Sequence, residues 1–175
     1  MNLRLLALPG AVLLCGCQNL PAPYAPPEQR QSFENFAPYR IRRVVNMADG
    51  DAEKHFVRDI GGLGGTWRWT GKHPEVRVFL RTNQMLHYVI DFTIVEATFK
   101  DTGPVTLSFF VNGHLLDKAT YEAPGSQHFE KPVPEEWVEA GKDATVAAEI
   151  DKVWISPADG AALGFILTGI GLRQK

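Results

Sequence analysis

From about residue 40 onward, apolar and polar side chains alternate along the chain. Val76, Val78 and Leu80 bracket Arg77 and Phe79. Leu86, Tyr88, Ile90, Phe92 and Ile94 alternate with His87, Val89, Asp91 and Thr93. Val105, Leu107, Phe109 and Val111 alternate with Thr106, Ser108 and Phe110. A period of two sends successive side chains to opposite faces, so each run predicts a strand with one buried face. Phe79, Val89 and Phe110 are apolar on the second face, which predicts strands covered on both sides. Further strands are predicted at 42–47, 66–70, 114–121, 127–131, 143–150 and 163–172.

The segments between these runs carry turn chemistry. Val111-Asn112-Gly113-His114 predicts a tight hairpin, because Asn-Gly supplies the positive φ values of a type I′ turn. Asp101-Thr102-Gly103-Pro104 and Ala123-Pro124-Gly125-Ser126 predict loops. One short helix is predicted at 134–140, with Pro134 in its first turn, Glu135 and Glu136 near its positive end and Gly141 after it. About nine short strands and one helical turn predict an all-β, antiparallel sandwich or barrel. No internal repeat is visible, which disfavours a propeller or solenoid.

The first 40 residues read differently. Arg4 precedes an apolar stretch from Leu5 to Leu14, too short to span a bilayer. A positive start, a short apolar region and small residues are the parts of a secretory signal. The segment Leu14-Cys15-Gly16-Cys17 resembles the bacterial lipobox. That resemblance implies cleavage before Cys17, acylation of its sulfur and anchoring in a membrane by several acyl chains. Gln18 is not the Asp that retains many such proteins at the inner membrane, so the expected location is the outer membrane, facing periplasm or cell surface. An ordinary secretory signal with incidental cysteines is the alternative. Residues 17–40 hold five prolines (Pro21, Pro23, Pro26, Pro27 and Pro38) and no apolar period. They predict an extended tether, about 60 Å long at roughly 3.1 Å per residue. The domain organisation expected is a signal at 1–16, lipidated Cys17 and tether at 17–40, and one domain at 41–175.

Composition narrows the function. The 18 Lys and Arg against 20 Asp and Glu leave the chain at −2, which excludes a nucleic-acid binder working by broad phosphate neutralisation. The two cysteines are Cys15 and Cys17, so the domain has no thiol for a disulfide, a zinc site or a nucleophile.

The domain also carries a pattern of short motifs. Gly64-Gly65-Thr66-Trp67-Arg68-Trp69-Thr70 precedes the strand at 76–80. Val111-Asn112-Gly113-His114-Leu115, Val133-Pro134, Ser156-Pro157 and Leu163-Gly164-Phe165-Ile166-Leu167 follow in order. Together, over about 45–172, they resemble jelly-roll domains of the galactose-binding-like class, found as carbohydrate-binding modules and as domains of cell-envelope proteins. The resemblance implies a jelly-roll β-sandwich and a non-catalytic glycan-binding role. In the family an acid often stands just before the aromatic-Arg-Trp triplet; here that stretch is Gly61-Gly62-Leu63-Gly64-Gly65, which holds no acid.

Candidate sites follow from residue types. Trp67 and Trp69, two apart on a strand, face one side, either as a platform for a sugar ring with Arg68 on the other face or as core filling. Asp49, Asp51 and Glu53 cluster oxygens of the kind Ca²⁺ takes, and the resemblance implies a structural calcium near this part of the chain; the alternative is a solvated acidic loop. No other cofactor is expected. The Gly61–Gly65 run lacks the Lys-Ser/Thr of a P-loop and the spacing of a dinucleotide fingerprint, so it reads as a turn. Ser126 and His128 lie close in sequence, but no Gly-x-Ser-x-Gly elbow is present. The functional expectation is a lipid-anchored domain binding a glycan or another envelope component. A structural or assembly role through a protein partner is the second reading, and a hydrolase the third. Exposed Trp67 and Trp69 favour sugar; buried ones favour a partner.

Overall fold

The computed structural model describes residues 42–62 and 65–175. The expected signal peptide, Cys17 and the tether lie outside the described residues. Eleven strands and one α-helix occur among those described: β1 (Val44–Asn46), β2 (Phe56–Gly61), β3 (Arg68–Phe79), β4 (Leu86–Ile94), α1 (Glu96–Thr102), β5 (Val105–Val111), β6 (His114–Tyr121), β7 (Gly125–Pro132), β8 (Asp143–Ile150), β9 (Trp154–Ile155), β10 (Ala162–Leu163) and β11 (Ile166–Gln174). Nine form one sheet, whose main path is β6-β5-β8-β3-β11-β4-β7; β1 pairs with β11 and β2 with β3. β9 and β10 form a separate hairpin. Every pairing is antiparallel.

The sheet folds over on itself, and aromatic contacts show where its halves meet. Phe109 of β5 stacks on Phe129 of β7 with ring centroids 3.8 Å apart, although these strands lie near opposite ends of the path. Tyr88 of β4 leans on Phe109, and its hydroxyl donates to the Ala147 carbonyl of β8 at 3.0 Å. Phe92 of β4 meets Tyr121 of β6 and Phe165. One layer is therefore β7-β4-β11-β1 and the other β6-β5-β8-β3-β2. Connections β4–β5, β6–β7, β7–β8 and β8–β11 cross between layers, which makes the fold a jelly-roll sandwich. The core is the predicted alternating set: Val76, Val78, Leu86, Tyr88, Ile90, Phe92, Val105, Leu107, Phe109 and Val111 are all buried.

Three departures from the sequence reading have physical causes. The strands expected at 66–70 and 76–80 are one strand. β3 pairs with β11 at Arg68 and Trp69, then with β8 from Glu75 to Phe79. It passes from one layer to the other around Pro74, which has no N–H to give a ladder. β2 was not expected because its pattern is broken by two register shifts, with Asp59 at φ 53 within the second. The helix expected at 134–140 is only a 3-10 turn, Glu135–Trp137, whereas α1 arises directly after β4. The helical turn ends where Val138 becomes extended and buried. The Asn112-Gly113 hairpin forms as predicted, with φ values of 48 and 79.

The chain enters the described domain beside its C-terminus. Arg43 Nη1 donates to Gln174 Oε1 at 2.8 Å, and β1 runs antiparallel to β11 from Val44↔Gly171 to Asn46↔Gly169. The opposite end of β11, at Ile166 and Leu167, lies against Trp69 and Arg68.

Candidate functional site

That opposite end holds a cleft of about 480 Å³. Its walls are β2 and the start of β3 on one side, with Asp59, Ile60, Gly61, Trp69 and Gly71, and the β9–β10 hairpin region on the other, with Asp159, Ala161, Ala162 and Leu163. The size lies in the range of small-ligand sites.

Local backbone chemistry shapes each wall. Asp59 sits in the left-handed region, and its carboxylate accepts the His73 N–H at 2.8 Å. A Cβ on Gly71 would lie 3.1 Å from Asp59 Cγ, so glycine there lets the aspartate fold back onto β3. Asp159 accepts the Ala161 N–H at 3.1 Å in the turn joining β9 to β10. The Ser156 hydroxyl and that amide hold its carboxyl below the usual aspartate range. Gly164 lets β3 approach closely, since a Cβ there would stand 2.5 Å from the Gly71 carbonyl oxygen.

The expected triplet divides as strand geometry requires. Trp69 lines the cleft. Trp67 is 38% exposed and stands beside it, with ring centroids 6.5 Å apart and planes at 89°. The two rings are not a flat platform; one sugar ring could lie on one face only. Arg68 points the other way and is buried, donating to the Trp67 carbonyl at 3.0 Å and facing Glu53 at 3.5 Å. It is absent from the cleft lining. Asp59 and Asp159 were missed by sequence reasoning. The only local signal was Asp159-Gly160 as a turn, and nothing linked it to Asp59.

The acidic run is arranged for arginine. Arg42 bonds Asp49 and Asp51 together, the second at 2.8 Å, and Glu53 faces Arg68. The bond from Arg42 lowers the Asp51 pKa. Among the described residues no group of three or more His, Cys, Asp or Glu side chains could hold a metal ion. Two guanidinium groups, those of Arg42 and Arg68, thus face the carboxylates of Asp49, Asp51 and Glu53, where calcium was the expectation.

Ser126 and His128 lie on the outer face of β7, in strand and not in a loop. His128 Nδ1 meets Asp91 at 2.6 Å and its Nε2 faces Glu130 at 3.7 Å. Ser126 instead shares a contact with the Thr93 hydroxyl at 3.4 Å. Both ring nitrogens are directed at carboxylates, so the imidazole is not set to take a proton from the serine. Elsewhere, Trp137 stacks on His114 and closes a sheet end, and Trp154 Nε1 donates to Asp101 at 2.6 Å.

No family model and no curated protein matches the sequence. Among solved structures, the chain is similar to CBM35 from Paenibacillus barcinonensis, at 11% identity, covering 75% of this chain and 98% of that one, with a TM-score of 0.40. It is similar to a carbohydrate-binding module, TmCBM27, described for specific mannan recognition, at 13% identity, covering 77% and 97%, with a TM-score of 0.41. An acetyl xylan esterase from the rumen bacterium Butyrivibrio proteoclasticus matches at 10% identity and a TM-score of 0.42, over 75% of this chain. The match spans a third of the esterase's length.

Proposed function

We propose that the domain binds glycan without catalysing a reaction, and that it is held at the outer membrane by lipid on Cys17. The observation that carries the first part is the cleft walled by Trp69, with the exposed ring of Trp67 beside it. A pyranose ring has an apolar C–H face and a rim of hydroxyls. An indole face suits the first, and the carboxylate oxygens of Asp59 and Asp159 accept from the second. Arg68, turned inward, has a supporting role in this reading. The reading gives Asp59 and Asp159 a binding role, since each carboxylate is held in the cleft wall by a protein N–H. The anchoring part rests on Leu14-Cys15-Gly16-Cys17 and the Pro-rich segment behind it.

Calorimetric titration with a panel of soluble oligosaccharides tests the binding reading. The expected result is saturable binding that Trp69→Ala weakens at least about tenfold while the fold is retained. Binding to no sugar, with an envelope protein recovered on the Trp67 surface by crosslinking, would transfer the reading to a protein partner. For the anchor, Cys17→Ser is expected to release the protein from membranes; a variant that stays membrane-bound sinks that part.

A further inference from the structure

We infer that the cleft selects a sugar bearing a free amine, a cationic hexosamine, over neutral and acidic sugars. The inference rests on the glycan reading above and adds the charge of the ligand to it. Among the described residues, the cleft lining contains two carboxylic side chains, Asp59 and Asp159, and no Lys, Arg or His. Asp59 accepts the His73 N–H, and Asp159 accepts the Ala161 N–H and the Ser156 hydroxyl. A carboxylate offers about four acceptor positions, so both keep capacity for a ligand.

The bases nearest in the chain are engaged with other acids. Arg58 pairs with Glu75 at 2.8 Å, Arg68 faces Glu53 at 3.5 Å, and Lys72 and the His73 ring both face Glu149, at 3.7 and 3.4 Å. None of these four side chains lines the cleft. The cleft therefore presents negative charge that its own neighbours do not cancel. A uronic acid, phosphate ester or sulfate ester would meet that charge with its own and lose its hydration for no return.

A bare metal ion does not fit the same place. Two carboxylates are too few, and no larger ligand cluster exists among the described residues. The Trp69 wall and the apolar surface of Ile60 and Leu163 call for a ligand with a carbon face. A ring with one apolar face and an ammonium at its edge meets both demands. An ammonium on a carboxylate makes a charge-assisted bond, stronger than a hydroxyl's.

The test uses the full chain freed of its signal and lipid, titrated with chito-oligosaccharides of one length in free-amine and N-acetylated form, with oligogalacturonate and with oligolysine. The free-amine oligomer is expected to bind about tenfold or more tightly than its N-acetylated twin. The gap should narrow with added salt. Ala162→Lys, an exposed position on the cleft wall, is expected to erase the gap while leaving the melting temperature in place. Asp159→Asn should narrow it too. Equal binding of the two chito-oligomers overturns the charge inference and leaves the glycan reading standing. Tighter binding of oligogalacturonate does the same. Oligolysine binding as tightly as the free-amine oligomer overturns it in favour of a cationic peptide. No binding by any sugar overturns both.

Discussion

The sandwich interior and the cleft are built from the same strands by opposite means. Inside, β5 alternates without interruption and β4 does so but for buried Val89, and Phe109, Tyr88 and Phe92 are almost wholly buried. At the cleft, β2 shifts register twice, β3 changes layer, Asp59 takes a positive φ and Trp67 stays exposed. Regular pairing makes a core that tolerates little change. Irregular pairing frees side chains from the ladder and turns them toward a ligand. The difference predicts that substitutions inside register as lost stability and those at the cleft as lost binding.

The largest effect should come from Phe109→Ala. It removes a ring stacked at 3.8 Å on Phe129 and leaves a cavity between the layers. A loss of about 3–5 kcal/mol is expected in denaturant titration; a loss below about 1 would mean that the halves do not pack as described. Gly171→Ala comes next. Its Cβ would stand 2.2 Å from the Arg43 carbonyl oxygen, so β1 must shift. About 1–3 kcal/mol is expected, with faster hydrogen exchange confined to β1 and its neighbours. Trp67→Ala should stay within about 0.5 kcal/mol of the parent, since the ring is exposed. A large loss of stability there would erase the contrast between the two regions.

The smallest effect concerns acid. Lys131 bonds Asp117 at 2.6 Å and holds its carboxyl below the ordinary range, and Lys175 does the same for Glu130. A lowered folded-state pKa means the unfolded chain binds more protons in acid. The pairs thus contribute stability above about pH 4, lost as pH falls through the lower folded values. Melting temperature should fall between about pH 4 and pH 2, and Asp117→Asn should flatten that fall slightly. Both pairs are solvent-accessible, so the effect should shrink with salt.

The same contrast explains what could be read from sequence. β4 and β5 were legible because each has one face buried, and period two is the direct record of that burial. The turn at Asn112-Gly113 was legible because its backbone needs φ values that few residues tolerate. The passage of β3 between layers was not, because Pro74 resembles a strand break until its partners on both sides are known. α1 was hidden by Thr98 and Phe99, which read as strand residues. At the cleft, the common side of Trp67 and Trp69 followed from spacing, but their perpendicular planes depend on packing. Asp59 and Asp159 lie 100 positions apart and become neighbours of one cavity only through the pairing of β3 with β11. Arg42, which takes up the acids that resembled a calcium loop, lies before β1 and carried no local sign of that role.

The antiparallel pairing of β1 with β11 has a mechanical side. The chain enters at Arg42, while the cleft lies at the other end of β11, about 27 Å away for eight steps along an antiparallel strand. A pull applied at Arg42 and resisted by a ligand in the cleft runs along the strand axis. It strains the β1–β11 bonds, with Leu172 N–H to Arg43 and Met47 N–H to Thr168 at either end, in parallel and in shear. Bonds sheared together share a load, whereas bonds peeled from one end break singly. The domain is strung so that tension between its two ends falls on its sturdier direction.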